Sequence, residues 1–251
     1  MASGYFEAPT PRVLAHRGLA LHAPENTLPA FEAAHAVGAD VLETDVRLTK
    51  DGAAVLAHDA TFRDDDGRVR AIADLELTTL RRIELGGGAG FVALDEALDA
   101  FRAMPFNIDV KVDAAVGATA AAVRRTGAID RVLLASFSDA RGRELSRALP
   151  GVATSPGRSG VTRALVAAAV GGAGAMRSAL AGSRALQAPQ RAGRVGLITR
   201  RLVRAVHAVG AEIHVWTVND AAEMRRLFEL GVDGVVTDRS DLAVPVARGR
   251  I

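Results

Sequence analysis

Val13-Leu14-Ala15-His16-Arg17-Gly18 puts a histidine and an arginine where a short apolar run gives way to a glycine turn. Two later apolar runs carry charged groups at i, i+2 spacing: Glu43-Thr44-Asp45, and Asp109-Val110-Lys111 within Asn107-Ile108-Asp109-Val110-Lys111. Residues two apart on a strand face the same side, so Glu43 and Asp45 aim two carboxylates in one direction and Asp109 and Lys111 an acid and an amine. Oxygen donors meeting at one point suit a hard cation. A second histidine, His58, follows the apolar run Ala53 to Ala57 and can return toward the first. Singly, each of these residues reads as an ordinary loop or strand-end group. Together they face inward, and buried charges need a metal, a ligand or one another. An internal salt-bridge cluster is the competing reading.

The elements that must position these groups alternate between β-branched runs and alanine-rich stretches of helical spacing, the βαβα pattern of a parallel sheet. Eight inner strands are expected at Arg12 to His16, Val41 to Arg47, Phe106 to Lys111, Val132 to Phe137, Val152 to Ser155, Ala185 to Gln187, Glu212 to Val218 and Gly234 to Thr237. That is an α/β fold, a (β/α)8 or TIM barrel, and 251 residues match the size of about 250 common for one such domain. The whole chain, 1–251, is expected to be a single domain. The turn Thr49-Lys50-Asp51-Gly52 and the run Ala53 to Ala57 add a small hairpin insertion after strand 2. Asn26 and Thr27 are expected to cap a first helix with Pro29 in its opening turn and Gly38 at its end. Asn219 is expected to cap another over Asp220 to Leu230. Gly160 to Ser183 reads as a helix over the barrel mouth or as an amphipathic contact with lipid; its scarcity of aromatics and lysine favours packing.

Composition excludes several classes. Cysteine is absent, so there are no disulfides, thiolate metal sites or cysteine nucleophiles. No apolar run reaches about 18 residues, and the start of the chain lacks the charged and apolar regions of an export signal, so a soluble cytoplasmic protein without a transmembrane segment is expected. Of 31 basic residues all but Lys50 and Lys111 are arginine, dispersed, with few aromatics; nucleic acid is not expected as a partner.

His16-Arg17-Gly18, Glu25-Asn26-Thr27, Glu43-x-Asp45-Val46, Leu48-Thr49-Lys50-Asp51-Gly52 and His58-Asp59 form an ordered set that resembles the glycerophosphodiester phosphodiesterases. The likeness continues through Asn107 to Lys111, Ser136-Phe137, Val215 to Asn219 and Gly231 to Asp238. The resemblance implies that His16 and His58 are the acid and base, and that Glu43, Asp45 and Asp109 hold one divalent ion, Mg2+ or Ca2+. It also implies that Arg17 and Lys111 contact the phosphate of a small glycerophosphodiester, giving sn-glycerol 3-phosphate and an alcohol. Asp109 departs from the family's usual glutamate and is similar to the aspartate of sphingomyelinase D-type phospholipases, which lack the His-Arg-Gly and Glu-Asn-Thr runs.

Glu25, in the first loop, reads equally as a ligand to metal or glycerol and as a structural residue before a helix. Trp216 packs against substrate or in the core, the resemblance favouring the site. His22, His35, His207 and His214 match no motif and are taken as structural, as is Asp238, expected to cap a loop or hold an arginine. Two other functions fit the residues: a phospholipase D-like activity on lyso- or intact lipids with peripheral lipid contact, and a barrel that binds glycerophosphodiesters without turning them over.

Overall fold

Each expected apolar run becomes a strand in the computed structural model, which describes residues 4–64 and 66–250. The strands are β1 (Arg12–Ala15), β2 (Val41–Leu48), β3 (Phe106–Val110), β4 (Val132–Ala135), β5 (Ala153–Thr154), β6 (Ala185–Pro189), β7 (Glu212–Trp216) and β8 (Gly234–Thr237). Their order is β5-β4-β3-β2-β1-β8-β7-β6, and every pairing along it is parallel. Between β5 and β6 no strand ladder forms, but Arg184 N–H donates to the Thr154 carbonyl at 3.1 Å and Gln187 N–H to Ser155 Oγ at 3.3 Å, which draws the ring nearly shut. The result is a (β/α)8 barrel. Most strands end one or two residues earlier than their apolar runs, because His16, Lys111 and Phe137 already belong to the rim.

The hairpin strand Ala54–Leu56 pairs antiparallel with β2, as expected. The chain between it and β3 builds more than the sequence suggests: two further small hairpins and one-turn helices cover a satellite core of Val55, Ile72, Leu80 and Phe91. These pieces are too short for a periodicity to be read.

Alternation divides the barrel into two cores. Outward strand residues such as Val13, Ile108 and Val215 meet the helices, while Leu14, Val41, Leu133, Ala153, Ala185 and Val236 fill the interior. At the floor Tyr5 and Phe6 pack beneath, and Arg12 pairs with Glu212, which also takes His214 Nε2 at 3.1 Å. His207 pairs with Asp233 at 2.7 Å. Both histidines are thus tied into the scaffold, as expected.

Helix α1 (Leu28–Ala36) has Pro29 in its first turn, but neither expected cap works through its side chain. Thr27 Oγ1 donates back to the Pro24 carbonyl at 2.6 Å, and Asn26 reaches across to β2. The 160–183 segment is two helices, α2 (Arg158–Val170) and α3 (Ala173–Leu180), broken at Gly171-Gly172. Ala164, Ala167, Met176 and Leu180 bury their inner faces, the packing reading. Helix α4 (Ala221–Glu229) starts one residue later than expected: its cap is Asp220, whose Oδ1 accepts from Glu223 N–H at 2.8 Å, not Asn219. Among the described residues no helix is long and apolar enough to cross a membrane.

Candidate active site

The parallel register brings the charged residues together at the rim where the strands end, the face on which barrel enzymes keep their chemistry. Glu43 lies beside Asn107 and Asp45 beside Asp109, while His16 follows β1 next to Glu43 on one side and Asp238 on the other. Ala57 N–H bonds to the Asp45 carbonyl at 3.0 Å, and so the hairpin strand delivers His58 to the same rim. A cavity of about 520 Å3 opens there, and His16, Arg17, Glu43, Asp45, His58, Asp109, Lys111 and Trp216 all line it. Of the expected site residues only Glu25 does not; it holds Arg17 from outside, with Arg17 Nη1 at 2.9 and 3.0 Å from its two oxygens.

Asp45 is the hub. Lys111 Nζ stands 2.6 Å from its Oδ1 and Arg17 Nε 2.8 Å from its Oδ2. Burial opposes its ionisation, but Lys111 and Arg17 outweigh that and keep its carboxyl below the usual range. Lys111 Nζ is also 2.6 Å from Asp109 Oδ2, so one ammonium bridges two carboxylates. Glu43 has no such cation; its Oε2 accepts from Arg17 N–H at 2.9 Å. Burial, and then the charge of Asp45, push Glu43 up to about 8.

Three buried carboxylates against two cations leave an excess of negative charge, which the protein meets by keeping Glu43 protonated near neutrality. Among the described residues no three carboxylate or imidazole groups stand ready-made around one point, because Lys111 lies between Asp45 and Asp109. The donor set nevertheless suits a hard divalent ion. Asp109 Oδ1 is buried with no hydrogen-bond partner among the described residues, and Glu43 is held unionised by the same lack of positive charge. A divalent cation held there, with Lys111 moved aside, would relieve both.

The raised Glu43 value has a measurable consequence. Between the unfolded carboxyl range and about 8 the folded protein binds the proton and the unfolded chain does not, so stability falls as pH rises through that window. Metal-free protein is therefore expected to lose Tm from pH 5 to pH 8, and Glu43→Gln to flatten the slope. An equal slope in the variant sinks the assignment.

Local backbone holds the first loop in place. Arg17 and Asn26 both have left-handed φ, 56° and 58°, and Gly18 has 86°. A Cβ on Gly18 would lie 2.7 Å from the Ala30 carbonyl carbon, so the turn after β1 admits only glycine. Asn26 is the residue the sequence reading missed: its Oδ1 accepts from Thr44 Oγ1 at 2.7 Å and Asp45 N–H at 3.3 Å, pinning the loop to β2. Its place in Glu25-Asn26-Thr27 signalled importance, but capping was the wrong role.

Asp238 also differs from expectation. Among the described residues it pairs with no arginine; its Oδ1 lies 2.6 Å from His16 Nδ1, and its Oδ2 accepts from Asn219 Nδ2 at 2.6 Å. Asn219 Oδ1 in turn accepts from Asp238 N–H at 2.8 Å, closing a ring that fixes the carboxylate. An ionised carboxylate at that distance requires Nδ1–H on His16 and leaves Nε2 free. Burial by itself lowers the basicity of His16, but the carboxylates around it, the Asp238 bond foremost, leave the ring more basic than an ordinary histidine. His58 is more open and has Asp59 Oδ1 2.9 Å from its Nδ1.

Comparison with known proteins bears on the family and the fold. The model of the glycerophosphoryl diester phosphodiesterase family matches residues 16–242. A Mycobacterium tuberculosis protein named "Probable glycerophosphodiester phosphodiesterase 2" is 37% identical over 240 residues, 94% of this chain and 91% of the relative. The crystal structure of a glycerophosphodiester phosphodiesterase from Agrobacterium tumefaciens superposes with a TM-score of 0.76 at 26% identity, covering 95% of this chain and 99% of that one. An Oleispira antarctica phosphodiesterase solved with the product sn-glycerol-3-phosphate shares the fold, with a TM-score of 0.79 at 23% identity over 94% of this chain and 96% of that one. A nearly closed barrel, a rim of paired charges and histidines, and a family match spanning most of its length make this chain a member of the glycerophosphoryl diester phosphodiesterase family, an enzyme that hydrolyses phosphoric diesters.

Proposed function

We propose that the whole chain acts as one domain that converts glycerophosphodiesters to sn-glycerol 3-phosphate and an alcohol, using one divalent ion and the His16 and His58 pair. The observation that carries this reading is the convergence of both histidines, three carboxylates and two cations on one cavity at the barrel rim. Glu43, Asp45 and Asp109 would hold Mg2+ or Ca2+, and the ion would supply positive charge to a phosphodiester that otherwise repels a nucleophile.

The chain's own groups do the rest. Arg17, already oriented by Glu25 and Asp45, offers its guanidinium to a non-bridging phosphate oxygen, and Lys111 a second positive charge once it leaves Asp109. His16 Nε2 takes the proton of the attacking hydroxyl, since the Asp238 carboxylate stabilises the imidazolium that forms. His58 gives a proton to the alcohol oxygen as its bond to phosphorus breaks. The same two transfers serve attack by water or by the glycerol 2-hydroxyl, the latter through a cyclic phosphate that water then opens with the roles reversed.

The direct test is release of sn-glycerol 3-phosphate from glycerophosphocholine, glycerophosphoglycerol and simple alkyl esters of glycerol 3-phosphate, with Mg2+, with Ca2+ and with EDTA. Metal-dependent release abolished by EDTA is the expected outcome. Folded protein that releases nothing with either metal would move the assignment to a binding barrel.

A further inference from the structure

The cavity has two unlike ends. All its carboxylates, Glu43, Asp45 and Asp109, lie at one end with Arg17, Lys111 and His16. The other end is walled by Phe137, Val161, Leu165, Leu197 and Trp216. Val161 and Leu165 are one turn apart on α2, whose first turns therefore face the site while its later residues pack in the helical layer. Phe137 stands edge-on to Trp216 with ring centroids 5.6 Å apart, and it is 48% exposed.

Glycerol brings two hydroxyls that need polar partners, and most of these stand at the carboxylate end, whereas the other end offers Arg158 and Thr162 beside its apolar side chains. The second alcohol of the diester then falls against the apolar wall. The Phe137 ring already has two cations beside it, Lys111 Nζ and the Arg158 guanidinium at 5.8 and 5.7 Å, and no carboxylate lines this end to offset the repulsion that a third positive charge would meet from them.

We propose that this end of the cavity is a subsite for a carbon-rich, uncharged alcohol, which makes alkyl esters of glycerol 3-phosphate better substrates than glycerophosphocholine. The inference rests on the phosphodiesterase reading above. Burying methylenes against such a wall strengthens binding steadily with chain length, because water is removed from both surfaces.

The test is kcat/KM for release of sn-glycerol 3-phosphate from its methyl, butyl and hexyl esters, glycerophosphocholine and glycerophosphoserine, all with Mg2+ and below any micelle concentration. Each added methylene is expected to raise kcat/KM about fourfold, the factor that ~0.8 kcal/mol per buried CH2 gives. The butyl ester is expected to exceed both charged esters. Leu165→Asp is expected to bring the hexyl-to-methyl ratio toward one, with circular dichroism confirming the fold. A flat series in active wild-type enzyme overturns the subsite and leaves the phosphodiesterase assignment intact, as does a preference for glycerophosphocholine. A preference for glycerophosphoserine overturns it in favour of anion recognition by Arg158. Release from none of the esters removes the assignment and the subsite together.

Discussion

Replacing His16 with alanine is expected to lower kcat about 10²–10⁴-fold, the usual contribution of a positioned acid or base, with KM changed far less. The informative companion is Asp238→Asn, which keeps the shape of the ring with Asn219 but replaces the carboxylate that holds His16 Nδ1 at 2.6 Å. Without that charge His16 loses the largest influence raising its basicity, so the limb of the pH profile that reports it should move to lower pH. An amide can also present its NH2 to Nδ1 and select the tautomer with the proton on Nε2, which cannot act as a base. A purely structural Asp238 would lower stability and leave the profile in place. Unchanged kcat in His16→Ala would remove the histidine from the mechanism altogether.

If Asp45 holds the proposed ion, Asp45→Asn is expected to reduce kcat/KM at least about a thousandfold, because it would take a ligand from the ion and with it several kcal/mol of charge stabilisation. It should also destabilise the metal-free protein by about 2 kcal/mol, less than the ~3–5 kcal/mol typical of an orphaned buried charge. Lys111 keeps Asp109 and Arg17 keeps Glu25, so neither cation is left without a partner. Denaturant unfolding gives the stability, and calorimetric titration with Mg2+ the loss of affinity. Native stability and activity in the variant would refute the central position given to Asp45.

Glu43, Asp45, Asp109 and Lys111 were legible from the sequence because strand periodicity is local: a period of two and an apolar setting suffice to say that these groups share a face. The eight strands were legible for the same reason, and most of their ends were overrun by one or two residues, at polar rim positions such as His16 and Lys111 as well as at Phe137, which continues the apolar pattern. The capping residues were misread in an instructive way. Asn26 and Asn219 each stand one residue before the position that caps a helix, and their side chains are spent on Asp45 and Asp238, partners 19 residues away in each case. A cap and a long-range anchor demand the same residue type, and only spatial neighbours decide between them.

What the sequence determined by itself was therefore the strand pattern, the closed α/β architecture it implies, and the set of groups able to do acid–base and cation chemistry. Tertiary structure decided the pairings: Asp238 with His16, Lys111 between Asp45 and Asp109, and the apolar wall that α2 and the loop carrying Leu197 bring to the cavity. The division follows from range. Side-chain direction along a strand depends on residues two apart, whereas burial, basicity and cavity shape depend on which strands the barrel sets side by side, and those lie tens to hundreds of residues away along the chain.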